Sequence, residues 1–221
     1  MEELFKKLNL KPKSISLYKT AFAHSSYANE HKLKKDYERL EFLGDAVLDL
    51  VVADYLYSNY SETEGEMTKV RASYVCENAL FEYSISLGLN QYIKMGHGEE
   101  TTGGKYKKAI VADIFEAFVG AIYLDLGYAT ARRFVLKVIV PYIENPNITF
   151  FEDYKSALQE AVQTSKKSLY YDLVEESGPS HDKTFVMEVK IDNIVYGRGK
   201  GSSKKEAEQE AAKEALAKLA K

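Results

Sequence analysis

Glu38-Arg-Leu-Glu41-Phe42-Leu-Gly-Asp45-Ala-Val-Leu-Asp49 is the stretch on which the reading of the fold turns. Its apolar residues recur at helical spacing, and the pattern runs on to Tyr60. With Glu38 set at zero on a wheel turning about 100° per residue, Asp45 falls at about −20°, Asp49 at about +20° and Glu41 at about −60°. Leu40, Leu43, Val47, Leu50 and Val51 gather on the opposite side, at about 120–220°. The acids therefore share one stripe, with only Arg39 nearby in sequence to compensate them. One reading is a solvated acidic face. The other is a cation site, because a bound ion relieves repulsion among like charges. Phe42, at about +40°, lies beside the acids. It either packs inside a larger core or docks into a partner subunit, and the pattern leaves both open.

A second helix reads differently. Ala109-Ile-Val-Ala-Asp113-Ile-Phe-Glu116-Ala-Phe-Val-Gly120-Ala-Ile-Tyr-Leu124 is apolar on every side, which predicts a buried central helix. Its charged residues, Asp113 and Glu116, stand at i and i+3 on one face. Buried carboxylates must be paired, protonated or metal-bound. Arg71, Lys69 or backbone donors from elsewhere could satisfy them. Alternatively the two helices meet, and Glu41 and Asp45 face Asp113 and Glu116 across a small gap. All-oxygen ligands select hard cations, so Mg²⁺ or Mn²⁺ is the natural occupant. Gly120 costs about 1 kcal/mol relative to alanine inside a helix, which a close helix approach would explain. None of His24, His31, His97 and His181 follows a glutamate at the spacing of a di-iron bundle. No nucleophile-elbow motif is present. His24 reads as a local hydrogen-bonding residue rather than a catalytic base.

Working outward, residues 1–145 read as mostly helical, with helices over Glu38–Tyr60, Met67–Leu87, Ala109–Leu126 and Thr130–Ile143. Breakers are expected at Ser61–Gly65, Gly88–Asn90 and Gly96–Gly104. Pro141–Asn147 ends the helical half. Beyond it the period changes. Asp153–Thr164 reads as a helix, Tyr170–Glu175, Thr184–Ile191 and Ile194–Lys200 as strands, and Ser177–Ser180 and Asp192-Asn193 as turns. Ser203-Lys-Lys-Glu206 reads as a capping box opening an alanine-rich helix to about Leu219. The expected fold is thus an all-α domain over 1–146, a linker over 147–152 and an α-β-β-β-α domain, α+β in class, over 153–221.

Charge is nearly balanced in both halves: 18 Lys and Arg stand against 20 Asp and Glu in residues 1–150, and 12 against 13 thereafter. Any nucleic-acid footprint must be a local patch. The lone Cys76 excludes an internal disulfide and a multi-cysteine zinc site. No signal-peptide pattern opens the chain, and no apolar run is long enough to span a bilayer, so a cytoplasmic protein is expected.

The stretch Glu38–Leu48 closely resembles the signature of the bacterial ribonuclease III family. The spacing to Glu-Gly-Glu-Met-Thr-Lys-Val-Arg-Ala (64–72), to Gly103-Gly104 and to Ala-Asp-Ile-Phe-Glu-Ala-Phe-Val-Gly-Ala-Ile-Tyr-Leu (112–124) matches as well. The sequence departs at Tyr37, where many members have Asn, a position outside the implied ligands. The resemblance implies an endonuclease of double-stranded RNA whose metal ligands are Glu41, Asp45, Asp113 and Glu116, with Asp45 and Glu116 as catalytic residues. It implies magnesium, or manganese in its place, and products with 5′-phosphate and 3′-hydroxyl ends from rRNA and mRNA processing. It places Glu38 and Glu64 near the RNA. It makes Phe42 a contact in a homodimer, whose symmetric sites can address two strands.

Residues 153–221 resemble a double-stranded-RNA-binding domain, on the strength of Gly199-Lys-Gly-Ser-Ser-Lys204-Lys205-Glu-Ala-Glu-Gln-Glu-Ala-Ala212. From Lys183 to Lys205 the chain is locally basic, and Lys204 and Lys205 open a helix, where free N–H groups favour phosphate. The resemblance implies that Gln159, Glu160 and Gln163 contact one minor groove. His181, in the loop Gly178-Pro-Ser-His, reaches the next, and Lys200, Lys204 and Lys205 bridge phosphates between. Such contacts read A-form shape over about 16 base pairs. The competing expectation is a non-catalytic RNA-binding dimer on a degenerate nuclease fold, against which the intact acid quartet argues.

Overall fold

A helix that is apolar all round is stable only inside other elements, and that is where Lys108–Leu126 lies. The computed structural model describes residues 1–145, 148, 150, 154–163, 167–179 and 183–219, without the side chain of Glu160. It divides into two units, Met1–Phe151 and Glu152–Lys221.

The first unit is helical: α1 (Glu2–Leu8), α2 (Ile15–Ala21), α3 (Ser25–Glu30), α4 (Glu38–Asn59), α5 (Glu64–Tyr74), α6 (Glu77–Leu87), α7 (His97–Thr101), α8 (Lys108–Leu126) and α9 (Tyr128–Ile143). Helix α8 buries Val111, Ala112, Ile114, Phe115 and every residue from Ala117 to Ile122. Helices α2, α4, α6 and α9 pack around it. The rings of Tyr18, Phe22, Phe115, Phe118 and Phe134 interlock there. Helix α4 lays Leu40, Val47, Leu48, Val51, Val52 and Leu56 against this core. Leu50, expected on that face, is instead 57% exposed, because the buried stripe of α4 follows the groove offered by α8 rather than the full apolar arc of the wheel.

Two expected boundaries shift. The span Met67–Leu87 is two helices, broken at Val75 and Cys76, where the backbone of Cys76 is extended (φ −76°, ψ 161°). No glycine or proline marks the break, and the apolar period runs across it. Helix α5 begins inside the expected breaker because Thr63 and Glu66 form a capping box: Glu66 N donates to Thr63 Oγ1 at 3.4 Å, and Thr63 N to Glu66 Oε2 at 2.9 Å. Helix α9 ends at Ile143, where the expected helix ends, with Pro141 inside its last turn. Phe150, in the stretch read as a linker, packs its ring against Tyr74, Tyr83 and Tyr142.

The second unit follows the expected order: α10 (Tyr154–Gln163), β1 (Leu169–Ser177), β2 (Thr184–Ile191), β3 (Ile194–Gly201) and α11 (Lys204–Leu219). The strands form an antiparallel sheet in the order β1-β2-β3, with Met187 opposite Leu173 on one side and Gly199 on the other. Asp192 and Asn193 both take positive φ, 50° and 68°, the backbone of a tight two-residue hairpin turn. Met187, Val189 and Ile191 are buried, as their alternation predicts. Helix α11 lies almost against the backbone of β3: a Cβ on Gly197 would stand 2.0 Å from Ala211 O, and one on Gly199 2.1 Å from Ala207 O. Alanines on α11 and alternate glycines on β3 are therefore one packing device.

Candidate active site

Two glycines bring the acidic helices together. A Cβ on Gly44 would lie 1.8 Å from Glu116 O, and one on Gly120 would lie 2.3 Å from Leu40 O. Helices α4 and α8 thus touch backbone to backbone, and Gly120 has the close neighbour its composition implied. Gly44, the other half of the contact, was not singled out from sequence, although a glycine one position before an acid in a helix carries the same signal.

At this crossing Glu41, Asp113 and Glu116 each present a carboxylate oxygen, all within 4.8 Å of one another. Asp45, expected with them, does not join that set and is exposed at its edge. Partial desolvation of its carboxyl nonetheless raises Asp45 above its usual range, with Asp49 adding to the effect. Burial, then Asp113, Glu38, Asp45 and Asp36, push Glu41 up to about 7. Burial, then Asp45, Glu41, Asp113 and Asp49, push Glu116 up to about 8. These shifts run opposite to the effect of a neighbouring cation. Arg71, a candidate partner for the pair on α8, instead lies 3.8 Å from Asp49. Burial also raises Asp113, opposed by a hydrogen bond from Tyr37 and the nearby His24.

Tyr37 is the residue that sequence reasoning left outside the site. Its hydroxyl donates to Asp113 Oδ2 at 3.0 Å. Nothing in the spacing announces this contact, since Tyr37 and Asp113 are 76 residues apart. His24 serves locally, as expected: its Nδ1 accepts from Ser26 N at 3.2 Å and caps α3. The donor set, three converging oxygens held at raised pKa, suits a hard divalent ion.

The remaining expectations are more dispersed. Glu38 is exposed on the first turn of α4, close enough to raise Glu41. Glu64 is exposed at the start of α5, accepts from Thr68 Oγ1 at 3.0 Å, and lines a shallow hollow with Tyr57 and Arg71. Phe42 is 80% exposed, so it is no part of this chain's core. A larger cavity of about 550 Å³, bordered by Lys7, Arg133 and Lys137, is lined by none of the acids.

In the second unit Gln159 and Gln163 are exposed on α10, opposite the buried Leu158 and Val162. The side chain of Glu160 and all of His181 lie outside the described residues. Lys200 is exposed on β3, and Lys204 and Lys205 are exposed at the start of α11. Glu206 N donates to Ser203 Oγ at 3.2 Å, as a capping box requires, while the Glu206 carboxylate accepts from Ser202 N at 2.7 Å.

A helical unit carrying a pocket of converging acids, followed by an α-β-β-β-α unit, defines the class of endonucleases that act on double-stranded RNA. Residues 14–143 match the ribonuclease-III-like family and residues 154–219 the double-stranded RNA binding motif. The chain belongs to the ribonuclease III family, with one catalytic and one C-terminal RNA-binding domain. It is 47% identical to Ribonuclease 3 of Onion yellows phytoplasma, over 100% of this chain and 92% of that protein. It is 46% identical to Ribonuclease 3 of Listeria monocytogenes, over 99% and 97%. Among solved structures it is similar to the nuclease domain of ribonuclease III from Campylobacter jejuni, at 40% identity and a TM-score of 0.60, covering 63% of this chain and 96% of that one. That nuclease domain is described as having a flexible region involved in dimer formation.

Proposed function

We propose that this endoribonuclease cuts duplex RNA by metal-assisted hydrolysis at the α4–α8 crossing, leaving 5′-phosphate and 3′-hydroxyl ends, in the processing of rRNA and mRNA. The observation that carries the reading is the convergence of Glu41, Asp113 and Glu116 within 4.8 Å. These three, with Asp45 beside them, would hold Mg²⁺, or Mn²⁺ in its place, and Asp45 and Glu116 would be the catalytic pair. When bound, the ion supplies Lewis-acid polarisation of the scissile phosphate and a lowered pKa for water.

The chain's own part is to preorganise the acids. The glycine crossing sets the distance between the two helices, and burial keeps Glu41 and Glu116 partly protonated near neutral pH until a cation displaces the proton. Glu38, close to Glu41, and Glu64, at the start of α5, would lie near the RNA. Residues 1–146 form the catalytic domain, 147–152 a linker and 153–221 the RNA-binding domain in this reading. Gln159, Glu160, Gln163, His181, Lys200, Lys204 and Lys205 would hold A-form duplex through minor-groove and phosphate contacts.

The protein works as a homodimer in this reading. Phe42, Leu50 and Tyr57, all on α4, are 80%, 57% and 79% exposed. Large apolar side chains left open in this way suit an interaction surface. No helix among the described residues is long and apolar enough to cross a membrane. A cytoplasmic location belongs to the proposal because the RNA substrate is found there. The decisive assay incubates the full chain with long duplex RNA. Discrete short products with Mg²⁺, abolished by a chelator, are expected. RNA that is bound but uncut under the same conditions would instead favour a non-catalytic RNA-binding dimer.

A further inference from the structure

We propose that Tyr37 is a positioning residue for the metal site, holding the Asp113 carboxylate in register with Glu41. The inference rests on the metal reading above and adds to it a residue outside the ligand set.

Tyr37 acts on both acidic helices at once. Its backbone carbonyl accepts from Leu40 N at 2.8 Å and Glu41 N at 2.9 Å, so it fixes the first turn of α4, the turn that carries Glu41. Its own N–H is committed to Ala23 O at 3.0 Å. Its ring is 5% exposed and lies 5.7 Å from the His24 ring, centroid to centroid. The side chain therefore has little freedom, and its hydroxyl is aimed at Asp113 Oδ2 on α8 at 3.0 Å. A hydrogen bond at one oxygen fixes the plane of the carboxylate, while Oδ1 keeps its lone pairs for a ligand. Partners that orient a ligating group in this way commonly change metal affinity by about 10–100-fold when removed.

Tyr37→Phe deletes the hydroxyl and keeps the ring and the backbone contacts. The test measures Mn²⁺ binding to the full chain without RNA, by the electron-spin signal of free Mn²⁺, for the natural protein, Tyr37→Phe and Asp113→Asn. Thermal melting in chelator and cleavage rate against Mn²⁺ concentration accompany it. Tyr37→Phe should bind Mn²⁺ about tenfold more weakly and melt in chelator close to the natural protein. It should also need about tenfold more Mn²⁺ for half-maximal cleavage, yet approach the natural rate at saturation. An unchanged Mn²⁺ affinity in Tyr37→Phe, with Asp113→Asn impaired, overturns the role of Tyr37 alone. So does a rate lowered at saturation with unchanged half-saturation, which is the mark of a merely structural residue. If Asp113→Asn binds Mn²⁺ as the natural protein does, the metal reading itself fails and the proposal falls with it.

Discussion

Gly44 of α4 and Gly120 of α8 face each other across a contact so close that a Cβ on Gly44 would stand 2.9 Å from Gly120 N, and one on Gly120 would stand 3.2 Å from Gly44 N. The distance between the acids depends on this pair. Gly44→Ala should therefore act twice: overpacking of a backbone contact costs roughly 3 kcal/mol, and the separation of the helices weakens Mn²⁺ binding. Chemical denaturation and Mn²⁺ titration check it. Natural stability in the alanine variant would show that α4 can shift without consequence.

Glu116→Gln should bind duplex RNA normally and lose cleavage by orders of magnitude. It should also melt higher than the natural protein at pH 8 in chelator, by up to about 2 kcal/mol, because a buried acid among acids is strain that function imposes. Unchanged cleavage would remove Glu116 from the chemistry.

The pH dependence has a definite sign. Glu41 and Glu116 titrate near 7 and 8 in the ion-free fold but near 4.5 when unconstrained. Between those values the folded chain holds more protons than the unfolded one. Ion-free stability therefore falls as pH rises through that window and levels off above it. Because a divalent ion needs the deprotonated acids, its apparent affinity should climb from pH 6 to pH 8. Melting curves with and without Mn²⁺ at the two pH values measure both effects, and a Mn²⁺ gain that is the same at each would refute them.

Changing Lys204 and Lys205 to Ala should weaken duplex binding and lower its salt slope by roughly one to two units, read by filter binding across a salt series. An unaltered slope would move the phosphate contacts elsewhere.

Phe42→Ala should raise the dimer dissociation constant about tenfold or more, as for a central aromatic anchor, while leaving the monomer's melting in chelator unchanged. Sedimentation at several concentrations reads this directly, and an unshifted equilibrium would place the interface away from Phe42.

Much of the architecture was legible because it rests on local periodicity. The all-round apolar character of α8, the alternation in β2, the Asp192-Asn193 turn and the Ser203–Glu206 cap each depend on residues within one or two turns of one another. The break at Val75–Cys76 and the early start of α5 were harder. The first carries no breaker residue, and the second was masked by polar residues that in fact form a cap.

The sequence by itself determined which acids stand on one face of α4 and which on α8, because helical spacing is a property of a single segment. Tertiary structure alone decided that Glu41, Asp113 and Glu116 meet while Asp45 stands at the edge, and that Tyr37 reaches Asp113. Those relationships depend on how far two helices approach and where they cross, and that is set by a glycine on each, a contact between residues 76 apart in the chain.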